Sequence, residues 1–476
     1  MFAVLGRNAR LLLGASAILS VRRGRRSGRV GRAADGAVEG AVVELPLPPG
    51  KPGNAFLDLL KYVKDPDGYI AERVEAYGPV FQMNYFGRKT VIVGGADGVT
   101  GFTNVEKNIT KSALPDTFSQ LHTEYGTMNL AGEAHKTSRV GLINSALCEE
   151  AFEFFLPVIK ARCSEFLDSV ESRGKFRPAQ ELKDWSVTLF AELFTGIPFD
   201  RDMMRLLYSY NEGLYGLIPL KLPFTAFGRG FRAKDELVGR LRRQIEELTQ
   251  SGQIEEPKYS ALRRMMKSED ENGENWSVDR VATASMLMVW GAYVELASLL
   301  SNAICLMSSA SEVRDKAYAE ASAKPAGTQS DLKKLSYLQA ILDETLRVKP
   351  PSGGGFRLAE EDIEIAGYRI PKGFVVSADP RITNMDPALH AMPESFNPDR
   401  FAERPAQSLP KGTWFPGGIG LHGCPGIPLA MIISKAFLAD FVQRFSSWRP
   451  ARGSEGWVNI PIRILGDKYE VEVEKR

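Results

Sequence analysis

Histidine and cysteine are scarce in this chain of 476 residues, at four each. So few histidines (His122, His135, His390 and His422) argue against a multi-histidine metal site. The cysteines (Cys148, Cys163, Cys305 and Cys424) are scattered and show no CxxC spacing, which argues against a disulfide framework and a zinc ribbon. An excess of one charge is missing too: 60 basic and 58 acidic residues leave +2, so there is no global signature of nucleic-acid binding. No internal repeat is visible, and the length suits two or three ordinary domains or one large single-core enzyme.

Acidic residues are absent from the first 34 positions, which hold eight arginines; the first acid is Asp35. The apolar patch Leu11–Val21 is about half the roughly 20 residues of a membrane-spanning helix, and Gly14, Ser16 and Ser20 weaken it. Residues 1–44 are therefore read as a basic leader directing the chain to an organelle, plastid or mitochondrion. The alternative is a short signal or anchor segment at the endoplasmic reticulum membrane. The proline-rich stretch Leu45–Gly53 is stiff and marks the entry to a single domain over 45–476.

Within that domain, helical periodicity predicts helices at Asp67–Tyr77, Ala151–Val170, Trp185–Thr195, Ala233–Gln250, Val281–Ser308 and Leu332–Val348. The helix over 281–308 is apolar almost throughout, yet Glu295 and Asn302 lie inside it, which favours a core helix over a membrane span. Val80–Tyr85 and Lys89–Val93 read as a hairpin around Phe86-Gly87-Arg88. Short strands are expected at Ile363–Ile365, Tyr368–Ile370 and Phe374–Ser377, and again in Ile460–Val473. The fold class is mainly α with small β-sheets.

A site built on one thiolate needs none of what is missing, and the stretch Phe415–Gly426 offers one. Five glycines and two prolines crowd around Cys424 in these twelve residues, and a helix over 427–445 follows directly. Pro428 suits its first turn. Free N–H groups and the helix dipole there are expected to favour the thiolate that a soft metal or haem iron binds. A small buried hydrophobe in a glycine loop is the plainer reading of the same residues.

Glu344 and Arg347 stand three apart on one helical face, and Arg400 lies between aromatics in Phe396–Phe401. The order Glu-x-x-Arg, Pro-x-Arg-Phe, then glycine-rich cysteine loop resembles the cytochrome P450 superfamily of haem-thiolate monooxygenases. Pro48-Pro49-Gly50, Tyr77–Val80, Gly132–Arg139 and Phe356–Gly373 are similar to further family segments. The resemblance implies haem b between a long distal helix and a proximal cysteine loop. Cys424 would ligate the iron, N–H groups around Gly426 would tune its sulfur, and His135, Arg139, Arg357 and His422 would face the haem propionates. His422 stands where the family usually has arginine. Glu344, Arg347 and Arg400 would form the structural cluster that pins the loop.

Two positions depart from the family's pattern. Gly417 stands where an aromatic usually precedes the cysteine, so Phe415 or Trp414 would have to shield the sulfur. On the distal helix Glu295 stands for the catalytic acid, Leu296 replaces the usual threonine, and Tyr293 replaces a glycine. An apolar Leu296 cannot hold an oxygen-facing hydroxyl, and losing a positioned proton relay costs on the order of 10²–10⁴ in rate.

Monooxygenation of a lipophilic sterol-, retinoid- or isoprenoid-like substrate is the preferred reading. The alternatives are rearrangement or dehydration of a lipid hydroperoxide without external electrons, and a haem-binding sensor or carrier. Leu114, Phe118, Met288, Tyr293 and Phe356 are candidate pocket residues, with entry by the segments 113–129 and 214–227. The implied partners are a ferredoxin or flavoprotein reductase, with possible peripheral membrane contact. Lys411, Lys435, Arg444 and Arg449 are a candidate docking patch.

Overall fold

The computed structural model describes residues 45–50, 53–85, 87–216, 219–451, 456–459 and 462–476. The expected leader, Phe86 of the hairpin turn and Ile460 lie outside them. Eight helices carry the argument: α1 (Gly132–Ala146), α2 (Glu149–Arg173), α3 (Pro178–Thr195), α4 (Arg201–Leu214), α5 (Ala226–Gln250), α6 (Val278–Ser308), α7 (Ser336–Val348) and α8 (Ile427–Arg444).

Helix α6 is the axis of the core. Its 31 residues start where the Ser277 side chain accepts the Arg280 N–H at 3.2 Å, and they run alongside α3 and against α5, α7 and α8. It is the one described helix long and apolar enough to cross a membrane, but most of it is buried within the protein. The aromatic row Phe437, Phe441 and Phe445 closes the core on the α8 side.

A four-stranded sheet flanks the helices: β1 (Val80–Tyr85), β2 (Arg88–Val93), β3 (Phe356–Leu358) and β4 (Val375–Ala378), in the order β1-β2-β4-β3. β1 and β2 form the expected antiparallel hairpin, with Val80 opposite Val93. β4 runs parallel to β2, with Val91 opposite Val376, and β3 is antiparallel to β4. β3 thereby carries Phe356 and Arg357 to the edge of the helical core. The C-terminal β expectation resolves into Ile464–Leu465 and Val471–Lys475.

Several boundaries differ from the periodicity. α5 starts at Ala226, seven residues before the expected Ala233, because Gly228 and Gly230 read as breaks in the sequence. Thr225 caps this start by accepting the Gly228 N–H at 3.0 Å. Gly230 is needed for a tertiary reason: a Cβ there would come within 2.8 Å of the Gly213 Cα, where α4 and α5 cross. The expected helix 332–348 is two, Gln329–Lys333 and α7, the first closed by a Thr328/Asp331 capping box. α1, α4 and Ala55–Lys64 are further helices beyond those expected, of which α1 alone lacks an apolar periodicity.

Candidate active site

Chain reversals hold the cysteine loop from within. The Phe415 carbonyl accepts the Gly418 N–H at 3.0 Å, the Gly417 carbonyl accepts that of Cys424 at 2.8 Å, and the Gly420 carbonyl accepts that of Gly423 at 3.0 Å. Gly417 has φ +76°, and a Cβ there would stand 2.9 Å from the Cβ of Cys424 and from Ile427 Cγ1. No aromatic could occupy that position without moving the loop. Phe415 packs instead with Val91, Phe102 and Val376, and Trp414 lies 5.0 Å from Phe401. From outside, the Glu106 carboxylate accepts the Leu421 N–H at 2.6 Å. The sequence offered no signal for Glu106.

Cys424 is the one exposed cysteine of the four, although it sits within the fold. Its sulfur receives the N–H groups of Gly426 and Ile427 at the start of α8. Burial nonetheless pushes the thiol up, outweighing these donors and the nearby Arg139. The expectation that the helix start alone favours a thiolate is therefore corrected. Desolvation wins, and a cation bound to the sulfur is what would favour the anion.

The loop rests on a buried ion cluster. Glu344 and Arg347 are fully buried and joined by two bonds of 2.8 Å, Nε to Oε2 and Nη2 to Oε1. Arg347 also donates to the carbonyls of Asn384, Pro393 and Ser395 at 2.9, 2.7 and 2.9 Å. Arg400 Nε and the Asn397 N–H reach Glu344 Oε1 at 3.1 and 2.8 Å. Every donor direction of Arg347 is used, so this α7 cluster clamps the irregular segment that leads to the cysteine loop.

α1, β3 and the loop bring His135, Arg139, Arg357 and His422 together. The His135 and His422 rings lie 4.1 Å apart. Burial, then Arg357, holds His422 down to about 3, and burial, then the two arginines, lowers His135. Both imidazoles are therefore neutral donors at ordinary pH, rather than conditional charges. Burial also pulls Arg357 down to about 10, while its Nη1 donates to Ser112 Oγ at 2.7 Å. Glu106 is the acid that acts on Arg357, and its own carboxylate is committed to Leu421. A buried cationic cluster with so little internal compensation fits a group bearing two carboxylates.

Opposite lies α6. Gly291 is exposed in the middle of this buried helix with open space around its Cα, and Ala292 and Glu295 are partly exposed beside it. These positions, with Met288, share one helical face and border interior space. Tyr293 and Leu296 are 2% exposed and turned away, and Tyr293 packs 5.8 Å from Tyr208. Two residues turn a helix by about 200°, so Tyr293 cannot face where Gly291 faces. Its assignment to the pocket is withdrawn. The concern over Leu296 changes too, because Glu295 itself occupies the inward position. Burial pushes its carboxyl up to about 7, and no cation among the described residues bonds it.

Of the other pocket candidates, Phe118 packs against His122, Tyr215 and Trp290, and Phe356 stacks on Tyr85 with centroids 4.4 Å apart. Leu114 and Met288 are partly buried against the main core. Tyr215 falls within the expected entry segment 214–227, though neither it nor Tyr85 is among the expected pocket residues, since single tyrosines near a helix end and in a strand carry no distinguishing pattern. The candidate docking patch does not assemble. Lys435 is buried and donates to the Leu332 carbonyl at 3.0 Å. Arg444 is tied to Asp440, Asp168 and Glu171, while Arg449, paired with Glu472 at the surface, and Lys411 are exposed.

A cysteine loop at a helix start, an ion cluster behind it, a cationic cradle beside it and an acid-bearing distal helix together describe a haem-thiolate enzyme. Comparison with known proteins agrees: residues 47–456 match the Cytochrome P450 family, so the chain belongs to it. Members are haem-binding monooxygenases that act on lipophilic molecules with electrons from a redox partner. The chain is 28% identical to a putative cytochrome P450 120 of Synechocystis, over 84% of this chain and 90% of that one. It is 25% identical to cytochrome P450 26A1 of Danio rerio (89% and 90%) and 26% identical to a taxane 10-beta-hydroxylase of Taxus cuspidata (88% of each). The structure of a retinoic acid-bound cyanobacterial CYP120A1 superimposes with a TM-score of 0.83 at 27% identity, covering 91% of this chain and all of that one.

Proposed function

We propose that the chain inserts one oxygen atom from O2 into a sterol-, retinoid- or isoprenoid-like substrate. The observation that carries this reading is the placing of the Cys424 sulfur, in the loop just before α8, within electrostatic reach of the Glu295 carboxyl on α6 across the interior. Haem b would lie between them, its iron on Cys424 and its propionates on Arg139, Arg357, His135 and His422. When bound, this group supplies oxygen activation, which a thiolate ligand assists. The N–H groups of Gly426 and Ile427 steady the negative sulfur. Glu295 holds a proton at its carboxyl near neutral pH and can pass it inward, the task the family usually divides between an acid and a threonine. The apolar surroundings of Phe118, Met288 and Phe356 suit a lipophile, as do the retinoid ligand and the taxane named for its relatives.

On this reading residues 1–44 lead the chain to an organelle, where a ferredoxin is the suited electron donor, and 45–476 form one catalytic domain. A flavoprotein reductase would serve at the endoplasmic reticulum. The lack of a hydroxyl side chain at position 296 favours hydroperoxide rearrangement as the second reading. Two assays separate the possibilities. The reduced, carbon monoxide-treated protein is expected to show the red-shifted Soret band of a thiolate ligand, lost in Cys424→Ser; an unchanged spectrum in that variant rules out the ligation. Turnover of a fatty-acid hydroperoxide without reductant, with none under reductant and oxygen, favours rearrangement. Haem binding with neither turnover favours a sensor or carrier.

A further inference from the structure

The charged and phenolic groups between the end of α4 and the open face of α6 are one-sided in sign. Tyr215, directly after α4, is 38% exposed although it lies within the fold, and its hydroxyl makes no hydrogen bond among the described residues. Its ring sits 6.2 Å from Phe118, which in turn is 5.7 Å from Trp290, the neighbour of Gly291 on α6. Exposed yet enclosed by the fold, as Cys424 is, the Tyr215 ring borders interior space, and the Glu295 carboxyl acts on its phenol.

Among the described residues no cation acts on Glu295 or on Tyr215. Arg381 reaches Tyr85, but its guanidinium is spent on the Asp379 carboxylate and the Tyr62 hydroxyl. Arg139 and Arg357 belong to the cradle assigned to the propionates. A carboxylate buried here would meet an acid and phenols without a counter-charge, an expensive arrangement. A hydroxyl or carbonyl needs one partner that can donate or accept, and the free phenol of Tyr215 does both.

We propose that this cavity takes an uncharged lipophile bearing a hydroxyl or carbonyl, which Tyr215 holds, and discriminates against carboxylates such as the retinoic acid bound by its structural relative. This rests on the proposed function, since it concerns the same site.

The test is equilibrium binding to the haem-loaded protein at mildly alkaline pH, read by the Soret shift and by quenching of tryptophan fluorescence that is lost in Trp290→Phe. The probes are a retinoid and a resin-diterpenoid series, each as alcohol, aldehyde and acid. Alcohols and aldehydes are expected to bind about tenfold or more tighter than the acids. Tyr215→Phe should weaken the neutral ligands by about fivefold and leave the acids unchanged, and Glu295→Gln should narrow the gap. Acids that bind as tightly as alcohols, or a Tyr215→Phe variant with unaltered preferences, overturn this inference and leave the lipophile reading standing. If no member of either series binds, both fall.

Discussion

Burial, more than any neighbouring charge, sets protonation around the interior cavity. It raises Cys424 and Glu295, lowers Arg357 and keeps His135 and His422 neutral. Glu295 is the residue whose state changes within the working range. With its carboxyl near 7, it carries a proton below that value and loses it above. Turnover is therefore expected to fall as pH rises through about 7. Glu295→Gln should abolish that limb and reduce turnover by about a hundredfold or more, measured as a pH–rate profile under saturating substrate. A profile with the same descending limb in the variant would assign the titration to another group.

Among elements, α7 carries the greatest structural burden. Its Arg347, itself fully buried, makes five bonds to Glu344 and three carbonyls. Arg347→Ala leaves Glu344 with Arg400 and the Asn397 N–H and strips those carbonyls, a loss of about 3–5 kcal/mol in urea unfolding. Arg347→Lys is expected to rescue little, because an ammonium cannot span the same fork. One turn before, the Asp343 carboxyl is pushed up to about 7 by burial, against a Gln339 amide at 3.2 Å and Lys435. The folded state thus binds this proton more tightly than the unfolded chain, so stability declines as pH rises from about 4 to about 7. Asp343→Asn should flatten this decline, worth on the order of 4 kcal/mol at most. Thermal melts across that pH range decide it.

At the scale of the whole molecule, distant segments converge on one interior: Glu106 and Ser112, the α1 cations, β3, α6 and the cysteine loop. These segments all lie within 45–476, so on the leader reading a chain beginning at Leu45 is expected to fold and bind haem as the full chain does, checked by haem content and melting temperature. A large loss of either would show that residues 1–44 are part of the catalytic body. With Lys435, Arg444 and Arg449 buried or paired, binding of an acidic electron donor should depend on salt less steeply than four free cations would imply.

Read alone, the sequence determined the long core helix, the β1–β2 hairpin, the cysteine loop and the Glu344–Arg347–Arg400 order. Each is local or a fixed-spacing motif, so periodicity, glycine content and residue order suffice. It left α1 unseen because the buried side of that helix is His135, Ser138, Gly141 and Ser145 rather than an apolar stripe, whereas α4 does carry one in Met203, Leu207, Tyr210 and Leu214. Only the tertiary structure decided which α6 side chains face inward. One residue of helical phase moves a side chain about 100°, enough to exchange Leu296 for Glu295 as the group facing Cys424. It also decided that Lys435 is buried and that Tyr215 reaches the cavity, because both depend on packing between segments far apart in the chain.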